Sequence, residues 1–291
     1  VTAAAPSALD PALLLQIADL ELVARLIVEG LVSGLHRSPF HGYSAEFSQY
    51  RHYRPGDDLK YVDWKLAART DRVYTKQFRE TTNMAAAIVL DTSASMTFGG
   101  KSRYAVAAAA ALAHLVSTQG DAVGLVTRDR FIPPRTGRQH LRGLLATLTA
   151  IEPREAWRPD DVRRAAEHLG RRGLLLVLSD FYDDEEGTFA ELRRAARSGH
   201  EVVLFQVMGR EEIEFPYRRD VEFVDLESGR AVAVDAVQAR REYTDAVASF
   251  LERWRRRAGS EGFQYALMIT DTPLDRALRH FLLARRYGGQ A

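Results

Sequence analysis

"AAAIVLDTSASM", residues 85–96, places six apolar residues ahead of Asp91, Ser93 and Ser95. A run that is apolar at every position suits a strand buried on both faces, which is the environment of a mainly parallel sheet. Four more runs share this texture: "AVGLV" (122–126), "LLLVLSD" (174–180), "EVVLFQV" (201–207) and "FQYALMI" (263–269). Helical stretches are expected between most of them, over 102–119, 138–150, 161–171, 188–198 and 236–258. Strand alternating with helix predicts an α/β fold with a doubly wound, mainly parallel sheet. The alanine run 107–111 suits close packing of its helix on that sheet. "VEFVDLESGRAVAVD" (221–235) reads as a hairpin turning at Ser228 and Gly229, part of an insertion at about 213–235 ahead of the last long helix.

In such a sheet, ligands bind beyond the carboxyl ends of the strands, where strand order reverses. Two strands end in an aspartate followed by a loop, Asp91 and Asp180. If their strands are neighbours, both carboxylates meet at one crevice. Alternate side chains of an extended segment point the same way, so Asp91, Ser93 and Ser95 would present three oxygens together. One carboxylate, two hydroxyls and an opposing carboxylate suit a small hard cation such as Mg²⁺, which takes oxygen ligands and keeps several waters. Few directly bound carboxylates leave the ion able to accept another acid from outside. Capping of the helix expected near residue 102 is an alternative use for one of the three, but Gly99 and Gly100 intervene, so it does not account for all of them.

Asp91-Thr-Ser93-Ala-Ser95 resembles the D-x-S-x-S metal-ion-dependent adhesion motif (MIDAS) of von Willebrand factor A domains. The resemblance implies six strands, one of them a short antiparallel edge strand supplied by "DRFIPP" (129–134), with helices on both faces. It implies Mg²⁺, with Mn²⁺ as the alternative, held directly by Ser93 and Ser95 and mainly through water by Asp91 and Asp180. The motif also takes a threonine from another loop. The matching stretch here, "RPDDVRRAAEHL" (158–169), has none, and Asp160 stands nearest that position as a ligand, direct or through water.

The composition sets bounds. The 291 residues, 46% of them hydrophobic, are enough for one large domain or a domain with an appendage. A net charge of +1 supplies no field to attract nucleic acid. Only four of the 40 basic residues are lysines (Lys60, Lys65, Lys76 and Lys101), a bias that codon usage explains. With no cysteine, disulfides, zinc-thiolate sites and cysteine nucleophiles are excluded, and a reducing compartment fits. No apolar run approaches the roughly 20 residues of a membrane helix. The opening "VTAAAPSALDPALLL" lacks the basic n-region of a secretion signal, so a cytoplasmic protein is expected.

Ahead of the α/β region, residues 9–35 predict a long helix, with Leu13, Ile17, Leu20, Ala24, Ile27 and Leu31 forming one apolar stripe. A seam for a partner is one use of it, and packing on the protein's own body is the preferred one. Two strand-like runs follow, "SAEFSQYRHY" (44–53) and "RVYTKQF" (72–78). Helix and arm together form a first unit, 1–83, before the α/β domain, 84–291. "YRHYRPGDDLKYVDWKLAARTDRVYTKQF" (50–78) resembles the R-x-Y-x-P-G-D-D…D-W…A-R signature of a bacterial family called domain of unknown function 58, which joins such a segment to a von Willebrand-like domain. "GLHRSPFHGYSAEF" (34–47), "REYTDAVASFLERW" (241–254) and "DTPLDRALRHFLLARR" (271–286) are similar to it too. Arg51, Arg54, Asp57, Asp58, Asp63 and Arg69 could form an ion-pair network pinning the arm to the core. Alternatively the arm is a docking surface with Trp64 as its anchor, since aromatic and arginine residues dominate binding hot spots.

Three functions compete. The first is a non-enzymatic, metal-dependent protein-binding module. The family resemblance implies a MoxR-type AAA+ ATPase and its client as partners, in a chaperone-like or assembly role, without nucleic acid or membrane insertion. The second is a metal-dependent hydrolase. Asp58 and then Asp63-Trp64-Lys65 follow the order of a metal nuclease, an acid and then acid-x-lysine, while an aspartyl-phosphate phosphatase would want a second carboxylate where Ser93 stands. G-x-S-x-G and phosphate-loop motifs are absent, and His114 and His168 fall inside expected helices. The third is a scaffold whose metal site has decayed.

Overall fold

The computed structural model describes residues 19–32, 45–53, 62–70, 72–80, 84–154, 156–170, 172–226, 229–279 and 282. The chain divides into two compact units, residues 40–84 and the remainder.

In the smaller unit, strand β1 (Ala45–His52) pairs antiparallel with β2 (Tyr74–Glu80), with a bulge between Phe47 and Gln49. Helix α1 (Trp64–Thr70) fills the connection. Asp63 caps it, its Oδ1 accepting the Leu66 N–H at 3.0 Å, so this carboxylate serves the helix start. Trp64 is 62% exposed. Of the expected ion-pair network, Arg54, Asp57 and Asp58 lie outside the described residues, and Arg69 is exposed.

The larger unit is built on six strands: β3 (Ala85–Leu90), β4 (Ala122–Val126), β5 (Phe131–Arg135), β6 (Gly173–Ser179), β7 (Glu201–Met208) and β8 (Gln264–Ile269). Their order is β8-β7-β6-β3-β4-β5, parallel throughout except for β5, which runs antiparallel to β4 at the edge. Each expected apolar run is a strand, and "DRFIPP" supplies the antiparallel edge. Pro133 and Pro134 suit an edge, where no further ladder asks for their missing N–H groups. Gly124 of β4 faces them: a side chain there would come within 2.8 Å of the Pro134 nitrogen.

Helix α2 (Lys101–Thr118) crosses one face of the sheet. Ala107–Ala111, Leu112 and Ala113 are all buried, because the helix is covered on both sides. Its outer side is covered by the N-terminal helix Leu20–Val32, whose Ala24, Ile27 and Leu31 have at most 1% exposure. The apolar stripe thus packs on the protein's own body, and Leu13 and Ile17 lie outside the described residues. This helix joins the α/β unit rather than the β arm, because α2 offers a continuous small-residue surface that needs a cover.

The opposite face carries α3 (Asp160–Ala166), α4 (Glu185–Arg197) and the long α5 (Ala236–Ser260). Phe181, Phe189 and Phe263 gather there around Trp254, which is fully buried. A further helix, α6 (Arg138–Thr149), packs beside α2. The insertion between β7 and α5 forms a short helix, α7 (Arg210–Glu214), and the expected hairpin, β9 (Val221–Val224) with β10 (Ala231–Val234). Gly229 takes φ +69° at its turn and Ser228 lies outside the described residues. No described helix is long and apolar enough to cross a membrane.

Truncating Ile27 tests the packing of the first helix. Ile27→Ala should cost about 2–5 kcal/mol in urea unfolding, as expected for a large-to-small change in a core. An unchanged midpoint would mean that the stripe is a free seam.

Candidate functional site

Strands β3 and β6 pair in parallel from Ala85 opposite Gly173 to Leu90 opposite Leu178. Asp91 and Asp180 therefore leave adjacent strands at one end of the sheet. From β3 the chain moves to β4 on one side and later returns to β6 on the other, so this is the point where strand order reverses.

Asp91 is 3% exposed. Its Oδ1 accepts the Ser93 N–H at 2.8 Å and its Oδ2 accepts the Ser179 hydroxyl at 2.5 Å. The hydroxyls of Ser93 and Ser95 are 2.9 Å apart, and Ser95 donates to Asp180 Oδ2 at 2.8 Å. Four of the five residues read from the sequence, Asp91, Ser93, Ser95 and Asp180, thus form one hydrogen-bonded cluster. The loop after Asp180 is held in a costly conformation: Phe181 has φ +59°, while its ring stacks on Trp254 at 4.4 Å and its N–H donates to Ser179 Oγ at 2.8 Å. Gln206 Nε2 ties down the Asp180 carbonyl at 2.9 Å, and Tyr265 donates to Gln206 Oε1 at 2.6 Å.

Lys101 completes the cluster. It opens α2 directly after a 3₁₀ turn, Ala94–Gly100, and is wholly buried. Its Nζ donates to Asp180 Oδ2 at 2.8 Å and to Glu212 Oε1 at 2.6 Å, and lies 4.9 Å from the Tyr182 ring. Glu212, from α7, also accepts the Gly209 N–H at 2.6 Å and the Tyr182 hydroxyl at 3.2 Å. Backbones approach closely here. Gly99 has φ +59°, and a side chain on it would meet Gly209 Cα at 3.2 Å, so glycine is required twice over. A buried ammonium is tolerable only when paired, and two carboxylates pair this one.

Burial, and after it the Asp180 carboxylate, push the Asp91 carboxyl up to about 7, against the hydrogen bonds from Ser179 and Ser93. Burial and then Glu212 push the Tyr182 phenol far above its usual range, so it stays a donor.

Asp160 does not join the cluster. It is the first residue of α3, its side chain is 62% exposed, and it pairs with Arg163 at 2.9 Å. The loop before it is fixed by Trp157, whose indole N–H donates to Thr188 Oγ1 at 2.9 Å; from this loop the Arg154 N–H reaches Thr92 O at 3.0 Å. Helical geometry then turns Asp161 inward, toward Arg164 at 3.2 Å, and leaves Asp160 outside. Lys101 and Glu212 are the members that motif reading misses. One signal was available for the lysine: at helical spacing, Lys101 shares a face with Tyr104, Ala105, Ala108 and Leu112, which are all core residues.

The donor set is all oxygen, as a hard cation needs. Two neighbouring ligands around Mg²⁺, each at roughly 2.1 Å, stand about 3 Å apart, and the Ser93–Ser95 hydroxyl pair has that spacing. Ser93, Ser95, Asp91 and Asp180 are donors of the type such an ion takes, with the Lys101 ammonium competing for Asp180. Among the described residues no histidine bonds either hydroxyl. His168 hydrogen-bonds the Arg164 carbonyl and packs against Phe131, and His114 sits within α2.

A sequence profile of the family described as "Protein of unknown function DUF58" matches residues 49–252. Uncharacterized proteins of Mycobacterium tuberculosis and Mycobacterium bovis are 30% identical over 298 residues, covering 97% of this chain and 92% of theirs. The uncharacterized protein YeaD of Bacillus subtilis is 30% identical over 46% of this chain and 33% of its own length. Among solved structures, BatB from Bacteroides thetaiotaomicron aligns with a TM-score of 0.46 at 14% identity, over 70% of this chain and 98% of that one. A von Willebrand factor type A protein from Catenulispora acidiphila aligns at 0.38 and 11% identity, over 73% and 44%.

Two outcomes follow from the electrostatics. Lys101→Met leaves two carboxylates buried with no cation between them and should cost about 3–5 kcal/mol in urea unfolding. Asp91 gives the pH dependence. Above pH 3.8 it ionises in the unfolded chain, but in the folded protein only near 7, so stability falls as pH rises between those values and stays low beyond. Melting scans of the wild type in chelator should show that fall, and Asp91→Asn should flatten it. Equal slopes in both proteins would remove Asp91 as the cause.

Proposed function

The chain belongs to the family of proteins of unknown function DUF58, and from that premise we propose that it is a non-enzymatic protein-binding module that works through a divalent cation. Ser93 and Ser95 would hold Mg²⁺ or Mn²⁺ directly, with Asp91 and Asp180 acting through water. The ion supplies a positive charge that an acidic side chain of a partner protein can ligate. The observation that carries this reading is the hydroxyl pair, 2.9 Å apart, at the strand-order reversal and within 2.8 Å of a second carboxylate. Capping does not explain it, because neither hydroxyl bonds a helix N-terminus: Ser93 precedes the 3₁₀ turn without a side-chain cap bond.

A MoxR-type AAA+ ATPase, with its client, is the partner we assign. Support comes from the signature at residues 50–78 and from Trp64, which at 62% exposure is open to contact. The hydrolase reading has less in its favour. Asp63 is engaged in capping its helix, and no described histidine stands ready as a base for either serine.

One observation favours a second reading. Lys101 brings its own cation to Asp180 at 2.8 Å, so the site could act as a metal-independent scaffold with the ammonium as a permanent substitute. The two readings part on the metal.

Titrating MgCl₂ or MnCl₂ into chelator-treated protein should raise its melting temperature, and Ser93→Ala should abolish the rise. A ligand at 100 times its dissociation constant adds about 2.7 kcal/mol to stability, an effect large enough to see. No rise in the wild type would favour the scaffold. The partner is tested separately: the protein should change the turnover of a MoxR-type ATPase from the same organism. Absence of both a complex and a change in turnover would eliminate that partner.

A further inference from the structure

A cleft of about 1110 Å³ opens from the cation site toward the inserted hairpin, with Ser95 and Lys101 at one end. Its floor is aromatic, formed by Phe98, Tyr182, Phe215, Tyr217, Phe223 and Tyr243. These rings brace one another: Phe215 lies 4.5 Å from Tyr243 and 5.7 Å from Phe223, and Tyr217 meets Phe223 edge-on at 5.5 Å. Among the described residues the hairpin pairs only with itself, and this aromatic cluster supports it. Its lip leaves Val224 and Leu226 about half exposed, at 53% and 49%. An open apolar cleft with an apolar lip is the surface of a binding site.

The charge around it names the occupant. Among the described residues six acids line the cleft against one cation, Lys101, which is paired with Glu212 and Asp180; Asp183 and Asp225 have partners of their own, and Glu211, Glu222 and Glu242 carry the acidic rim. The arginines of the same elements are not among the lining residues. Arg240 donates to the Tyr217 carbonyl, and Arg241 lies beside Asp245. We propose that this cleft seats a segment of a partner protein in which one or two bulky apolar side chains are flanked by lysine or arginine. The apolar side chains fill the aromatic floor, and the basic flanks meet the acidic rim, which steers the encounter and rejects acidic sequences. This surface recognises the opposite charge to the cation site and needs no metal, so the two proposals fail separately.

The test is selection from a display library of random short peptides against the full chain in chelator. Selected peptides should share bulky apolar residues beside lysine or arginine. By fluorescence anisotropy, the best of them should lose roughly tenfold or more in affinity to Glu222→Lys/Glu242→Lys and to Val224→Asp, a loss of about 1.4 kcal/mol. These positions are exposed, so the variants should fold, which their melting curves verify. No enrichment, enrichment of acidic or uncharged peptides, or equal binding by the variants would overturn the proposal. So would a dimer in sedimentation velocity that Val224→Asp dissolves, since the cleft would then belong to a second copy of this chain.

Discussion

A single ammonium, that of Lys101, buried between two carboxylates, organises one end of the sheet. It joins three elements at one point: the start of α2, the end of β6 through Asp180, and the inserted α7 through Glu212. Glu212 passes the constraint on to the end of β7 by accepting the Gly209 N–H. The close approach of Gly99 to Gly209 gives the lysine its path. Because burying any of these charges alone is costly, the arrangement is all-or-none, and it presents Asp180 to Ser95 in one orientation.

The fold was legible because its signals are local. Five strands are apolar at nearly every position, and their helices alternate with them along the chain. The edge strand was legible only through the family resemblance, which implied one and placed it at "DRFIPP". What local pattern could not reveal was the allegiance of the first helix. Its stripe around Ala24, Ile27 and Leu31 favours packing on the body over a partner, but only the alanine surface of α2 shows which unit it covers. Short elements were missed for the same reason. The five residues of α7 carry too little periodicity to stand out, although Glu212 within it is central.

At the site, Asp91, Ser93, Ser95 and Asp180 were legible as strand-terminal residues at alternate positions, and they meet as expected. Asp160 was chosen by its place in the chain. The orientation of a helix start, fixed by Trp157 some residues earlier, turns it away from the cluster. Lys101 and Glu212 are separated by 111 residues, so their pairing is a tertiary fact. The lysine alone left a trace, as a charge on a helix face that is otherwise core.

The proposed cation site and the acidic cleft meet at Ser95 and Lys101, which would let one partner engage both: an acid at the end of the sheet and an apolar, basic segment beneath the hairpin. The central claim is that the clustered oxygens hold a divalent ion despite the lysine beside them. The most direct measurement is anomalous diffraction at the manganese edge from crystals grown with MnCl₂. A peak bonded to the hydroxyls of Ser93 and Ser95 is expected, with Lys101 retained on Glu212. Absence of a peak, with the ammonium still shared by Asp180 and Glu212, would contradict it and leave the lysine as the only cation of the site.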